Sequence, residues 1–141
     1  MYKTILVPID LSEESSWRKA VPTALELARA FGARINLATV VRDIDAIWKT
    51  QYFPIGYEMM VKEAENKLAH LARSQMPAAT EPNIFVGQGS IYSEVLRIAA
   101  ETSTDLIVLA SHRPEMKDYL IGPNAALIAR HANCSVMIVR E

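Results

Sequence analysis

Apolar residues fall along this chain in two alternating patterns. Short runs rich in β-branched residues alternate with longer stretches in which apolar positions recur every three or four residues. The first run is TILVPI, Thr4 to Ile9. Its length suits a strand buried on both faces, and Pro8, which has no ladder donor, predicts that the strand is ending there. Asp10-Leu11-Ser12 is turn and helix-cap chemistry. A helix is predicted from about Glu14 to Phe31, with Trp17, Val21, Ala24, Leu25, Ala28 and Phe31 on one face. Pro22 lies inside that pattern and predicts a kink or a shifted start. Gly32 is a suitable C-terminal stop.

The second strand is RINLATVV, Arg34 to Val41. Residues 43 to 57 follow with little periodicity and several aromatics, including Trp48, Tyr52, Phe53 and Tyr57; a connection this long is often functional. A second helix is predicted from about Tyr57 to Gln75, its outer face carrying the alternating charges Lys62, Glu63, Glu65 and Lys67. MPAATEP breaks it. A third strand covers Asn83 to Gly87, and a third helix covers Ile91 to Glu101 with Ile91, Val95, Ile98 and Ala99 inward. DLIVLA, Asp105 to Ala110, is the strongest buried strand. A last helix is predicted over about Pro123 to His131, and SVMIV, Ser135 to Val139, is the final strand. Strands and helices that alternate in this way predict one α/β domain over residues 1 to 141. Its sheet would be parallel, with five strands in the order 3-2-1-4-5 and helices on both faces.

Composition narrows the class. The chain has 141 residues, half of them hydrophobic and 22% charged, which suits a soluble folded domain rather than a disordered segment. Fifteen basic and sixteen acidic residues give a net charge of -1 with no basic cluster, so a nucleic-acid footprint is not expected. Cys134 is the single cysteine, which allows no internal disulfide and is compatible with a reducing cytosol. The N-terminal MYKTILVPID does not read as a signal peptide, and no apolar run approaches the roughly 20 residues needed to span a bilayer. The expectation is a cytoplasmic protein without membrane insertion.

Candidate chemistry follows from topology. In open parallel sheets, ligands bind beyond the carboxyl ends of the strands where the strand order reverses. That point lies between strands one and four, so Asp10 and the stretch from Ala110 to Arg113 would face one crevice, with Val40 at its side. The helix after strand four opens Gly122-Pro123-Asn124-Ala125, and helix N-termini hold phosphates. Gly122 allows close backbone approach. Pro123 suits the first helical position but has no N–H, so the nest keeps the donors of Asn124 and Ala125. Arg113 could add a bidentate grip on phosphate.

ILVPIDLS at the start, GQGSIYSEVLRIA in mid-chain, then DLIVLASHRP and YLIGPNAALIARHANCSVMIV together resemble the universal stress protein family over essentially the whole chain. ASHRP followed by LIG-x-NAA is similar to a bacterial subgroup with that loop in place of the usual glycines. The resemblance implies a Rossmann-like fold close to the adenine nucleotide α-hydrolases, a homodimer, and an adenine nucleotide, ATP with or without Mg²⁺, bound for a regulatory or stress-response role. Pro8 and Asp10 match the family's PxD at the nucleoside end, and Val40 matches a residue that contacts adenine. Ala110 and Arg113 fall at loop positions near ribose and phosphate, with Leu109 beside them among the nucleotide-binding residues; Gly122, Asn124 and Ala125 fall at the phosphate-cradling helix start. The nucleotide-binding members share G-x2-G-x9-G-[ST], and this chain departs from it. Ala110 and Arg113 stand at the first two glycines, eight residues separate Arg113 from Gly122, and Pro123 replaces the hydroxyl residue.

Plainer readings stand beside these. Asp10 reads equally well as a cap of the first helix. Arg113 reads as a solvated loop residue, and Gly122-Pro123 as ordinary helix-start chemistry. Ser111-His112 makes a poor nucleophile and base pair, because neighbours on a strand point apart, and no G-x-S-x-G elbow is present. His131 and Cys134 form at most half a metal site, and Cys134 before an apolar strand reads as a buried small hydrophobe. The aromatic stretch could cover an adenine, pack as a satellite core, or meet a partner protein. SVMIV would be an apolar sheet edge, which self-pairing across a two-fold axis would cover. Three function classes remain open: an adenine-nucleotide binder without turnover, a nucleotide-free dimeric interaction module with an unknown protein partner, and a slow ATPase or autokinase using Ser12, Ser111 or His112.

Overall fold

A computed structural model describes residues 1–42, 56–111 and 123–140. The expectations that fall on Trp48, Tyr52, Phe53, His112, Arg113 and Gly122 lie outside those residues. The five strands are β1 (Thr4–Pro8), β2 (Arg34–Val41), β3 (Asn83–Gln88), β4 (Leu106–Ala110) and β5 (Ser135–Val139). The helices are α1 (Ala20–Phe31), α2 (Tyr57–Gln75), α3 (Ile91–Glu101) and α4 (Pro123–His131). The strands form one parallel sheet in the order β3-β2-β1-β4-β5.

Period-two alternation sorts the strand side chains between two helical layers. Ile5, Val7, Leu37 and Val108 pack with α1 through Val21 and Ala24 and with α2 through Leu68 and Leu71. Leu6, Ala38, Ile107 and Leu109 pack on the opposite face with Val95 and Ile98 of α3 and Ala125 and Ile128 of α4. β1 and β4 are therefore apolar on both faces, as their unbroken apolar runs imply, while β2 also buries the polar Asn36 and Thr39. The crossover from β3 through α3 to β4 changes faces, and this places the reversal of strand order between β1 and β4.

One element starts later than its pattern suggests. The region expected to be helical from Glu14 is a 3-10 turn, Glu14–Ser16, and α1 begins at Ala20. The cause is Pro22. A helix begun at Glu14 would hold this residue in its interior, where its missing N–H and its ring would break the ladder; begun at Ala20, it lies in the first turn, where backbone N–H groups have no intrahelical partner. Phe31, expected inward, is 38% exposed and meets Tyr2 edge-on at 5.5 Å. Gly32 closes α1 in the left-handed conformation at φ 66, its N–H bonded to Ala28.

Two local contacts fix the frame beneath the site. A Cβ on Gly87 would lie 2.9 Å from Cβ of Glu94, so α3 crosses β3 at a distance only glycine allows. Glu94 Oε1 accepts from the Gln88 N–H at 2.9 Å, and Arg97 bonds the other carboxylate oxygen. The Arg97 hydrogen bond, opposed by burial, holds the Glu94 carboxyl below its ordinary range. At the opposite end of the sheet, the Asp105 carboxylate accepts from the Lys3 N–H at 2.9 Å and the Thr4 N–H at 3.0 Å, tying the entry to β4 against β1.

Candidate functional site

The carboxyl ends of β1, β2 and β4 open into a cavity of about 610 Å³. Pro8 and Asp10 enter its wall from β1 and the turn beyond it, Val40 and Arg42 from the end of β2, and Leu109 and Ala110 from β4. Asn124 and Ala125 enter from the first turn of α4 and Ile91 from the start of α3. Seven of the nine residues singled out by sequence thus meet in one crevice, the one at the switch point of the sheet. Arg113 and Gly122 lie outside the described residues.

Asp10 shows how the β1 end is held. Its Oδ1 accepts from the Ser12 N–H at 3.0 Å and from the Ser12 hydroxyl at 2.7 Å. Its main chain is tied to the buried Ser16, whose hydroxyl accepts from the Asp10 N–H and bonds the Asp10 carbonyl, both at 2.9 Å. The carboxylate therefore caps its own turn and does not cap α1, whose N-cap position is Lys19. This corrects the capping alternative: an Asx turn, with the 3-10 turn after it, separates Asp10 from the helix. The turn leaves Asp10 and Ser12 on the cavity wall.

Leu109 and Ala110 are buried at 5% and 8% exposure, and Ala125 is likewise buried, so these three shape the wall through packing. Val40 and Asn124 are half-buried. The Ser111 N–H donates to the Val139 carbonyl at 3.0 Å, which continues the β4–β5 ladder one step past the end of β4.

The α2 wall goes beyond what converging strand ends imply. Met60, Ala64 and Lys67 recur at helical spacing and line the cavity, with Glu63 beside them. Glu63 and Lys67 are exposed, as their alternating charge pattern implies, and they also rim the crevice, paired at 3.0 Å. The usable signal was that spacing, which sets Lys67 on the same stripe as two buried residues. Arg42 and Lys67 are the arginine and lysine that the described residues bring to the wall.

Other candidate chemistry resolves into packing. Cys134 sits half-buried against the α3/α4 core. Burial, then the charge of Asp105, pushes its thiol above the ordinary value, so the reactive thiolate is disfavoured. Among the described residues, no three His, Cys, Asp or Glu side chains gather as a metal would require, and no helix is long and apolar enough to cross a membrane.

Sheet order and crevice position define a Rossmann-like α/β protein whose site lies at the β1/β4 switch point. The chain belongs to the universal stress protein family: the family model described as universal stress protein family matches residues 1–140. It is 33% identical to Universal stress protein G of Escherichia coli O157:H7 over 99% of this chain and 100% of that protein. Among solved structures, it resembles a universal stress protein in complex with cAMP, at 25% identity and a TM-score of 0.65, covering 99% of this chain and 97% of the other. It also shares the fold of a universal stress protein family protein from Arabidopsis thaliana with AMP bound, at 14% identity and a TM-score of 0.63, covering 99% and 92%.

Proposed function

We propose that this protein binds an adenine nucleotide, ATP by preference, in the β1/β4 crevice, and that the bound nucleotide serves a regulatory role in a stress response in the cytoplasm. The observation that carries this reading is the cavity at the switch point. It lies within the roughly 300–1,000 Å³ of small-molecule sites, and its wall joins apolar surface from Val40, Leu109 and Ile91 to the first turn of α4. The family relative solved with cAMP supports an adenine ligand.

In this reading Pro8, Asp10 and Val40 hold the nucleoside end, and Leu109 and Ala110 border the ribose. Gly122, Asn124 and Ala125 meet the phosphates at the start of α4, where unpaired N–H groups and the helix dipole favour an anion. Arg113 supplies the charge that a loop poor in glycine gives up in backbone donors. Mg²⁺ would accompany the triphosphate. Calorimetric titration of the nucleotide-stripped protein with ATP tests the reading. Micromolar binding is expected, weakened about tenfold or more in Arg113→Ala, where a charge-assisted contact of about 1.5–3 kcal/mol is lost. No heat at millimolar ATP would refute it and leave a nucleotide-free dimeric module.

A second reading is favoured by one contact. The Ser12 hydroxyl donates to Asp10 Oδ1 at 2.7 Å on the cavity wall, the geometry of a nucleophile and its base. In this second reading the nucleotide lies the other way round, with its γ-phosphate rather than its nucleoside end at Asp10, and slow self-phosphorylation would transfer the γ-phosphoryl of ATP to Ser12 Oγ, release ADP and leave the hydroxyl proton on Asp10. Intact-mass analysis after incubation with ATP should show one added phosphate that Ser12→Ala abolishes; an unchanged mass removes this reading.

A further inference from the structure

A second hollow, of about 430 Å³, lies between the turn that follows β1 and the side of α2. We propose that it is a separate small-molecule site, and that its ligand is a planar, uncharged heterocycle carrying an amide-like hydrogen-bonding edge. The proposal stands independently of nucleotide binding in the crevice.

The two walls are chemically distinct. One is apolar: Trp17 and Leu11, both half-buried against the α1/α2 core, with the buried Leu71 beside them. An indole that packs against the core yet borders a hollow offers a flat surface on which an aromatic ring can stack. The other wall is a polar stripe of α2, in which Asn66, His70 and Ser74 recur every four residues with Gln75 next to the last of them. Two carboxamides and an imidazole supply both donors and acceptors, and the Ser74 hydroxyl, which donates to the Leu71 carbonyl at 3.0 Å, adds an acceptor. An apolar wall facing a few convergent polar groups is the usual anatomy of a ligand pocket, and the volume is within the usual range of roughly 300–1,000 Å³.

Charge decides the class of ligand. Of the Asp, Glu, Lys and Arg side chains, the described residues bring Glu63 and Lys67 to the hollow, and these two pair with each other at 3.0 Å. An anionic ligand would meet the Glu63 carboxylate next to Lys67, and a cationic one would meet Lys67 next to Glu63. Both side chains are more than half exposed and already neutralise each other, so an ion of either sign finds no net charge to draw it there. A neutral ring keeps the ion pair intact and uses the amide stripe. Leu11, Glu63 and Lys67 also line the crevice, so the two hollows share a wall, and Trp17 belongs to the second alone.

Trp17 provides the test. The chain has two tryptophans, so ¹⁵N-labelled protein shows two indole N–H resonances, assigned with Trp48→Phe. Titration with quinoline-3-carboxamide should shift the Trp17 indole signal to saturation. Quinoline-3-carboxylate, of the same shape, should bind about threefold more weakly, because the exposed Glu63 carboxylate repels it while Lys67 is already paired. Asn66→Ala, on an exposed helix position, should weaken the amide probe about fivefold, the worth of one hydrogen bond. The proposal is overturned if the Trp17 signal does not move up to the solubility limit. It is overturned equally if the carboxylate binds as well as the amide, or if Asn66→Ala leaves the affinity unchanged. Shifts confined to the Val40 and Ala110 amides would place the probe in the crevice and overturn it too.

Discussion

At the scale of single residues, Asp105 shows how a polar group fixes a strand without belonging to the site. Its carboxylate accepts from two successive backbone N–H groups, those of Lys3 and Thr4, before β1 begins its ladder with β4. Burial pushes the carboxyl up, but the backbone N–H groups of Lys3, Thr4 and Asp105 itself, with the charge of Lys3, together outweigh it, and the net shift is downward from 3.8. A lowered folded value means that the ionised form is the one that stabilises. The contribution is therefore present above the unfolded value near 3.8 and is lost as the pH falls through the folded value. Asp105→Asn should cost about 1–2 kcal/mol at neutral pH, the range for hydrogen bonds to a charged acceptor partly kept by the amide. Urea melts of the two proteins should differ at pH 7 and converge towards pH 3. A gap that persists undiminished at pH 3 would assign the effect to packing.

At the scale of elements, the start of α1 carries a sharper expectation. Pro22 occupies the third position of the helix, where no intrahelical N–H bond is forfeited. Pro22→Ala should therefore change stability by no more than about 0.5 kcal/mol. Ala24→Pro, two residues on, would remove an interior bond and set a ring against the preceding turn at a buried position, at a cost of about 3 kcal/mol or more. Thermal melts of both variants check the pair, and a large loss in Pro22→Ala would show that the proline braces the 3-10 turn. The same region marks the limit of what pattern reveals. β2, α2, α3, α4 and β5 follow the predicted bounds because apolar period, glycine and proline agree there. The stretch from Glu14 to Lys19 has helical spacing but a proline placed for a later start, so two local rules conflict and the steric one prevails. At the site, Pro8, Asp10, Val40, Leu109 and Ala110 were legible because strand ends converge by topology. Lys67 and Met60 were not, because whether a helix flank faces solvent or a cavity depends on the neighbouring turn, and no period encodes that.

At the scale of the whole molecule, the open question for the fold is the β5 edge, for which we propose self-pairing across a two-fold axis. β5 pairs with β4 and ends the sheet, with Ser135 and Met137 exposed along it. In a parallel strand successive residues turn their backbone groups to opposite sides. The Ser135 N–H bonds Asp105, and the Val139 carbonyl accepts from Ser111, so odd-numbered residues face β4. Val136 and Ile138 then present their N–H groups outward, where a second copy would pair. Val136→Pro removes an outward donor and spares the β4 ladder, since proline is tolerated where the missing N–H faces away from the sheet. Met137→Pro removes a donor that β4 uses. Sedimentation velocity at micromolar concentration should show a dimer for the native chain and a folded monomer for Val136→Pro, while Met137→Pro should lose stability as well as association. If the native chain sediments as a monomer, the edge is covered otherwise. If Val136→Pro remains a dimer, the two-fold lies on another surface. Loss of the dimer in a Val136→Pro chain that still folds is the outcome edge pairing requires, whereas the lower stability of Met137→Pro follows from the β4 ladder within one chain.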